Sequence, residues 1–169
     1  MSRGKAAGLD GLSAEHLQYC HYALPTVLSK IFNLMIRKGY VPQTFCLSYT
    51  VPLLKGNCSV HSKTLSANDF RGISISPIIS KIFEHCILHR YNMFFTNSDN
   101  QFGFKKRSSC MHAMHTYRST VDYYVTRGST VNVCSLDLSK AVDKMNLYGL
   151  FVKLMDRCIP VNLLKVLEL

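Results

Sequence analysis

The fold is decided by residues 131–143, which read VNVCSLDLSKAVD. The apolar and β-branched residues from Val131 to Leu138 predict a short buried strand that carries the carboxylate of Asp137 near its far end. A carboxylate in that position loses its hydration unless a cation or hydrogen-bond donors replace the water. Asp137 is therefore a candidate metal ligand, and the alternative is that Asp137 or Ser139 caps the following helix.

Strand and helix patterns precede and follow this stretch. Two segments rich in apolar and β-branched residues, 45–54 and 70–76, predict an antiparallel hairpin across a long polar connection, and Pro52 favours an edge strand. Apolar residues at helical spacing, with matching start and stop residues, predict helices after Ser13, from Pro25 to Gly39, from Pro77 to the break at 97–100, from Ser109 to Gly128, through 150–155 and from Pro160. One helical stripe is expected to face the core and consists of Met111, Met114, Tyr117, Val121 and Tyr124. The expected fold class is α+β, with helices packed on a small, mostly antiparallel sheet.

Composition limits the class of protein. A chain of 169 residues with 47% hydrophobic residues is long enough for one domain with a core. Lys and Arg outnumber Asp and Glu by 20 to 10, a formal charge of +10, which favours a polyanionic partner such as nucleic acid. The 7 cysteines form no Cys-x-x-Cys pair, which indicates reduced thiols. We therefore expect an intracellular protein that is not secreted and has no membrane partner, and the sequence does not distinguish nuclear from cytoplasmic residence.

Residues 131–143 resemble motif A of the reverse transcriptases of non-LTR (LINE-type) retrotransposons, in which LDLSKAFD is typical. Further blocks that resemble this family occur upstream in the family's order: KAAGLDGL at 5–12, VPLLKG at 51–56, NDFRGIS at 68–74 with SKIFE at 80–84, and QFGFKK at 101–106. The resemblance implies a partial reverse transcriptase domain over 1–169. Residues from about 1 to 128 would form the fingers and the fingers-palm connection, and residues from about 129 to 169 would form the start of a truncated palm.

The resemblance also implies roles for individual residues. Asp137 matches the first metal-binding aspartate, and the backbone carbonyl of Leu138 would add a second oxygen for Mg²⁺ (or Mn²⁺) in a completed polymerase. Lys55 and Arg71 resemble the fingers residues that meet the triphosphate of the incoming dNTP, and Val142 occupies the position beside its sugar. The alternative for Lys55 and Arg71 is two solvated charges on a hairpin.

A second set of residues resembles the part of the family that lies near the RNA template and the DNA primer. Phe102 and Phe104 offer faces for stacking or packing, and a basic run follows them. The alternative is an ordinary solvated charged surface. The residues expected to contact template or primer are Gln101, Phe102, Gly103, Lys105, Lys106 and Arg107.

This sequence departs from the family pattern at several positions. Val142 stands where the family has an aromatic residue, which predicts weaker discrimination against ribonucleotides in a completed enzyme. Gly72 replaces the usual proline after Arg71, Arg107 stands where glycine is common, and Cys110 stands where threonine is common. No Asp-Asp dipeptide occurs in the chain, and neither the family's paired-aspartate block nor a thumb is present. We therefore expect that this chain alone does not polymerise nucleotides.

Two other functions remain open at this stage. The chain could be a non-catalytic basic module that binds RNA or DNA, or a non-functional retroelement remnant. For any of the three, a missing palm half would leave a strand edge and an apolar face uncovered, so we expect marginal stability or self-association through the truncated palm edge.

Overall fold

Helices form most of the regular structure of this chain. The computed structural model describes residues 3–55, 65–138, 141 and 144–168. In these ranges the helices and strands follow one another as α1 (Ala14–Gln18), α2 (Leu24–Lys38), α3 (Gln43–Cys46), β1 (Tyr49–Leu54), β2 (Phe70–Ile75), α4 (Ile78–Arg90), α5 (Cys110–Val125), α6 (Leu147–Asp156) and α7 (Val161–Glu168). Short 3₁₀ turns precede β2 at Ala67–Asp69 and follow α4 at Asn92–Phe94. This arrangement confirms the α+β class.

The N-terminal segment packs against the start of α4. The Gly11 amide donates to the Gly8 carbonyl over 3.1 Å, which closes a turn, and α1 begins directly after Ser13 as predicted. The Tyr49 hydroxyl donates to the Ala7 carbonyl over 2.9 Å and joins this segment to the base of the hairpin. A Cβ atom on Gly8 would lie 2.8 Å from the Cα of Pro77, so only glycine allows this close approach.

Helix α2 follows the prediction in its limits and only partly in its buried face. Pro25 lies in its first turn, and Gly39 ends it in a left-handed conformation with φ of 62°. Phe32 is buried, whereas Ile31, which belongs to the same apolar pattern, is 43% exposed. Ile31 and Phe32 are consecutive residues, and consecutive side chains on a helix point about 100° apart. The buried face of α2 is therefore narrower than its apolar pattern.

The predicted hairpin is present and has a defined register. Strands β1 and β2 are antiparallel, and their pairing runs from Tyr49 opposite Ile75 to Leu54 opposite Phe70. The first strand is shorter than expected, because Phe45 belongs to α3 and not to β1. Helix α4 is also shorter than its apolar pattern, since it ends at Arg90 and a 3₁₀ turn follows.

The core lies between α2, α4, α6 and α7. Leu163 on α7 has no exposed surface, and Phe32 on α2 packs against Phe83 on α4 with ring centroids 5.0 Å apart. The Arg157 guanidinium donates to the Phe94 carbonyl over 2.9 Å and joins the end of α6 to the turn after α4. The buried cluster consists of Phe32, Met35, Phe83, Ile87, Leu154, Ile159, Leu163 and Val166.

Helix α5 has no buried residue, which contradicts the predicted direction of its apolar stripe. Met111 is 72% exposed and Met114 is 63% exposed, Tyr117 and Tyr124 are also exposed, and Val121 is half-buried. The helix itself was predicted correctly. Its apolar stripe reports a preference for burial, but burial needs a covering element, which local sequence does not reveal.

The stretch 131–138 is not the predicted buried strand. These residues have no regular secondary structure, and Asn132 to Leu138 are all exposed. A strand needs a neighbour that accepts its backbone hydrogen bonds, and the strands in the described ranges pair with each other. Of the helices in those ranges, none is both long and apolar enough to cross a bilayer.

Candidate nucleotide and nucleic-acid interface

The hairpin places Lys55 and Arg71 on the same face. Leu53 lies opposite Arg71 in the register, and the Lys55 amide donates to the Asp69 carbonyl over 2.9 Å, so pairing continues one residue past β1. Side chains alternate between the two faces of a strand, so Lys55 lies on the same side as Leu53. Lys55 and Arg71 are thus diagonal neighbours across the two strands.

Both cations are exposed at the end of the hairpin that leads into the connection between the strands. The Lys55 ammonium donates to the carbonyl of Asn68, which holds its stem along the 3₁₀ turn. Asp69 lies opposite Lys55, and its carboxylate accepts from the Ser66 amide over 2.7 Å and from the Ser66 hydroxyl over 3.0 Å. This face thus carries two cations and one carboxylate, and an anion bound between Lys55 and Arg71 would reduce the repulsion between those two cations.

The same face of the hairpin is apolar behind the two cations. Val51, Leu53 and Ile73 lie on it and are 36%, 48% and 43% exposed. The opposite face carries one polar pair, Thr50 and Ser74, whose hydroxyl oxygens lie 3.0 Å apart. The hairpin therefore offers an amphipathic surface, with a cationic end, to a ligand that has both a charged and a flat apolar part.

The predicted template block is built of two consecutive turns after the 3₁₀ turn of residues 92–94. The Lys105 ammonium lies 3.0 Å from the Asp99 carboxylate, which ties this cation to the preceding loop. The Gln101 side chain donates to the Gly103 carbonyl over 3.2 Å. The exposed members of the basic run are thus Lys106 and Arg107.

The two phenylalanines of this block have different environments. Phe102 is half-buried, whereas Phe104 is fully exposed. Phe104 and Arg107 also have left-handed backbones, with φ of 57° and 61°. Such a conformation is unfavourable for residues other than glycine, and here it turns one aromatic ring and one guanidinium outward.

The structure does not bring other metal-binding side chains close to Asp137 in the described ranges. Asp137 is exposed and makes no hydrogen bond or ion pair with another described residue, and Leu138 follows it in the same irregular segment. Nowhere in the described ranges do three or more His, Cys, Asp or Glu side chains come together in a way that could hold a metal ion. Val142, Asp143, Ser139 and Lys140 lie outside the described residues. Lys55 and Arg71 are therefore the predicted nucleotide-site residues that the structure brings together.

Comparison with known proteins gives one informative match. No family model matches the chain. Over 118 residues, 69% of its length, the chain is 27% identical to a 115 kDa protein of the type-1 retrotransposable element R1DM of Drosophila melanogaster. The chain is similar to a retrotransposon protein. It spans 11% of the length of that protein, and the similarity fits a fragment derived from a retroelement.

Sequence reasoning did not find a groove between α2 and α4. It has a volume of about 650 Å³, and its walls include Leu28, Phe32 and Cys86. His85 and His89, which the sequence places one helical turn apart as a candidate metal pair or as surface histidines, are exposed and line this groove. The signal that could have located it is the absence of Asp and Glu from α2, whose residues along the groove are all uncharged.

Proposed function

We propose that this chain is part of an RNA-directed DNA polymerase of a non-LTR retrotransposon and that its hairpin binds the triphosphate of the incoming dNTP. The single observation that carries this proposal is the placement of Lys55 and Arg71 on one exposed face at the open end of β1 and β2. The order of the reverse transcriptase blocks and the similarity to a retrotransposon protein support it.

The chemistry of the two cations suits a triphosphate. The guanidinium of Arg71 can grip two phosphate oxygens in a fork, while the ammonium of Lys55 acts as a compact point charge. The antiparallel pairing fixes how far apart their backbones lie, so the two groups are positioned before the ligand arrives. The apolar surface at Val51 and Ile73 would lie beside the uncharged part of the nucleotide.

The metal site needs groups that the described residues do not supply. Asp137 offers one exposed carboxylate and Leu138 one carbonyl oxygen, whereas two-metal nucleotidyl transfer needs further carboxylates to clamp both ions. Mg²⁺ would provide charge stabilisation for the transferred phosphoryl group in a completed polymerase. We assign no catalytic step to this chain alone, and we expect no primer extension from it.

Titration of the purified chain with dTTP tests the hairpin site. Nuclear magnetic resonance should show amide shifts concentrated in residues 49–55 and 70–75, and a smaller effect with dTMP, because the site recognises the triphosphate. Arg71→Gln and Lys55→Gln should each weaken dTTP binding by about three- to tenfold. Lys153→Gln is the matched control, since Lys153 is an exposed cation on α6. Equal weakening by all three variants would show that only net charge matters and would overturn the proposal.

A second candidate is a non-catalytic module that binds single-stranded RNA or DNA through the block 101–107. The full exposure of Phe104 beside Lys106 and Arg107 favours this function, because bases stack on aromatic rings and cations contact phosphates. Binding of a fluorescent RNA oligonucleotide, measured at several salt concentrations, tests it. We expect Phe104→Ala to weaken binding by about 1–3 kcal/mol without changing the salt dependence. An unchanged affinity would exclude stacking at this position.

A further inference from the structure

The groove between α2 and α4 is a concavity lined mainly by apolar side chains. Its volume of about 650 Å³ lies within the range of natural binding sites. Leu24, Leu28 and Ile36 line it from α2, Ile82 and Cys86 line it from α4, and Leu17 of α1 contributes at one end. The groove is partly open to solvent, so a segment of another molecule can enter it.

The rim of this groove carries the positive charge of Arg90 and no opposing carboxylate. Arg90 and two histidines line it from α4, and its lining contains no carboxylate. The Arg90 guanidinium donates to the Asn33 side chain over 2.8 Å, which ties the two walls together and holds the cation at the mouth. The acidic residue of α4, Glu84, lies instead on a smaller cavity beside Lys5 and Lys81. An occupant should therefore carry negative charge next to its apolar surface.

Three classes of occupant can be compared by chemistry. Nucleic acid does not fit, because the walls are mostly apolar and would leave phosphates without donors. A second copy of this chain fits poorly, because its exposed helix α5 carries Arg118 and Asp122 as a pair and has no net acidic face. A helix from another protein, with apolar residues on one face and acidic residues beside them, matches both the apolar walls and the charge of Arg90.

We propose that the groove between α2 and α4 binds an acidic amphipathic helix of a partner protein. The apolar side chains of that helix, spaced three and four residues apart, would fill the groove, and a carboxylate beside them would pair with Arg90. This surface is separate from the hairpin and from the block 101–107. The proposal for the groove does not depend on the proposed polymerase function.

Synthetic peptides provide the test. The first is an amphipathic helix of about four turns with leucines on one face and glutamates beside them. The second carries lysine in place of each glutamate, and the third keeps the glutamates but has serine in place of each leucine. Fluorescence anisotropy with the full chain should give binding of the first peptide at least about tenfold tighter than that of the other two.

Variants of the chain locate the binding surface. Cys86→Phe fills the groove and should weaken binding about tenfold, whereas Leu88→Phe, on the same helix and 52% exposed away from the groove, should not. Arg90→Gln keeps a donor for Asn33 but removes the charge, and should weaken binding about three- to fivefold. Lys153→Gln makes the same change of net charge on α6 and should have no effect.

Several outcomes would overturn the proposal. Equal binding of the glutamate and lysine peptides would show that the charge at the rim does not contribute to binding. Equal binding of the leucine and serine peptides would show that the apolar walls do not contribute. Tight binding of oleate that depends on Arg90, without binding of any peptide, would identify a site for a free amphiphile. Circular dichroism of each variant confirms that a lost affinity does not reflect lost folding.

Discussion

Arg107 stands in a backbone conformation that favours glycine. Its φ of 61° lies in the left-handed region, and the following Ser108 amide donates to the Lys105 carbonyl over 3.3 Å across the turn. A residue with a Cβ atom pays about 1–2 kcal/mol for this conformation. The reverse transcriptases that this block resembles commonly have glycine at the same position, so the departure has a physical cost that the sequence alone did not show.

Arg107→Gly should change stability and nucleic-acid binding in opposite directions. We expect the free energy of unfolding in urea to rise by about 1 kcal/mol because the strain is removed. Binding of an RNA oligonucleotide should weaken, with a salt dependence reduced by about one phosphate contact, because one exposed cation is lost. Lys106→Gly is the control, since Lys106 is not among the described residues with positive φ. A stability gain in the control, or none in Arg107→Gly, would contradict the argument.

Glu15 makes the N-terminal segment sensitive to acid. Its carboxylate accepts from the Gly4 amide over 2.6 Å, and this hydrogen bond is the main reason that the pKa of Glu15 is lowered from its ordinary value. A lowered pKa in the folded chain means that the bond stabilises the fold above the ordinary value of 4.5 and that this contribution is lost as pH falls through the folded pKa.

The Gly4 amide should report this titration directly. We expect its chemical shift to change with a midpoint below the ordinary pKa of glutamate, as the N-terminal segment separates from α1. In Glu15→Gln the shift should no longer depend on pH in that range. A midpoint at or above the ordinary value would show that the bond to Gly4 does not form in solution.

At the level of elements, the end of α2 is coupled to α7. Gly39 ends α2 with a left-handed backbone, and a Cβ atom there would lie 3.2 Å from the Cβ of Lys165. Gly128, after α5, has a similar φ of 79° but would place a Cβ atom in open space. The two glycines therefore differ in their neighbours and share the same backbone requirement.

Gly39→Ala should cost more stability than Gly128→Ala. Both lose about 1 kcal/mol to backbone strain, and Gly39→Ala should lose about 1 kcal/mol more because α7 must move. Urea denaturation of the two variants gives the difference. Equal losses would mean that α2 and α7 accommodate the extra methyl group without strain.

Gly72, in strand β2 of the hairpin, also has a close neighbour. Gly72 pairs with Pro52, and a Cβ atom on it would lie 2.9 Å from the Cγ2 methyl group of Thr50. The sequence block that this stretch resembles usually has proline at this position, whereas this chain has glycine, and the threonine methyl group occupies the space beside it. Gly72 therefore makes a close cross-strand approach to Thr50 possible.

Gly72→Ala should destabilise the hairpin only when Thr50 is present. We expect a loss of about 1 kcal/mol in the single variant and little or no loss when Thr50→Ser is added, because serine lacks the methyl group and keeps a hydroxyl for Ser74. Hydrogen exchange of the β1 and β2 amides measures the effect. Additive losses in the double variant would show that the two side chains do not interact.

Local sequence patterns predicted which helices and strands form better than they predicted what covers them. The helices α2, α4, α6 and α7 were predicted from apolar spacing and from start and stop residues such as Pro25 and Gly39. The stripe of α5 and the strand at 131–138 were assigned to the interior because their residues favour burial. Whether they are covered depends on a partner element, and neither is covered by the described residues.

The candidate site was predictable to the extent that it is local. A hairpin with Lys55 after one strand and Arg71 in the next brings the two cations together through its register alone. The distance from this hairpin to Asp137 depends on the arrangement of elements far apart in sequence, which no local pattern encodes. The outward direction of Phe104 depends on a positive φ, which a phenylalanine does not predict.

For the whole molecule, one core joins both halves of the sequence. Residues of α2 and α4 pack with residues of α6 and α7, and Leu163 is the fully buried side chain at their centre. The segment after residue 128, assigned by resemblance to the start of a palm, therefore supplies part of the core on which α2 and α4 depend. A marginally stable domain of this size cannot lose such a contact without losing much of its total stability.

Leu163→Ala should lower the free energy of unfolding of the whole chain by about 3 kcal/mol, because it leaves a cavity where four helices meet. Val161→Ala is the control on the same helix, since Val161 is 66% exposed and should lose less than about 0.5 kcal/mol. Urea denaturation followed by circular dichroism and by hydrogen exchange of the α2 amides should give the same shift for Leu163→Ala. If α6 and α7 melted first while α2 and α4 kept their protection, the two halves would be separate folding units and the single core would be wrong.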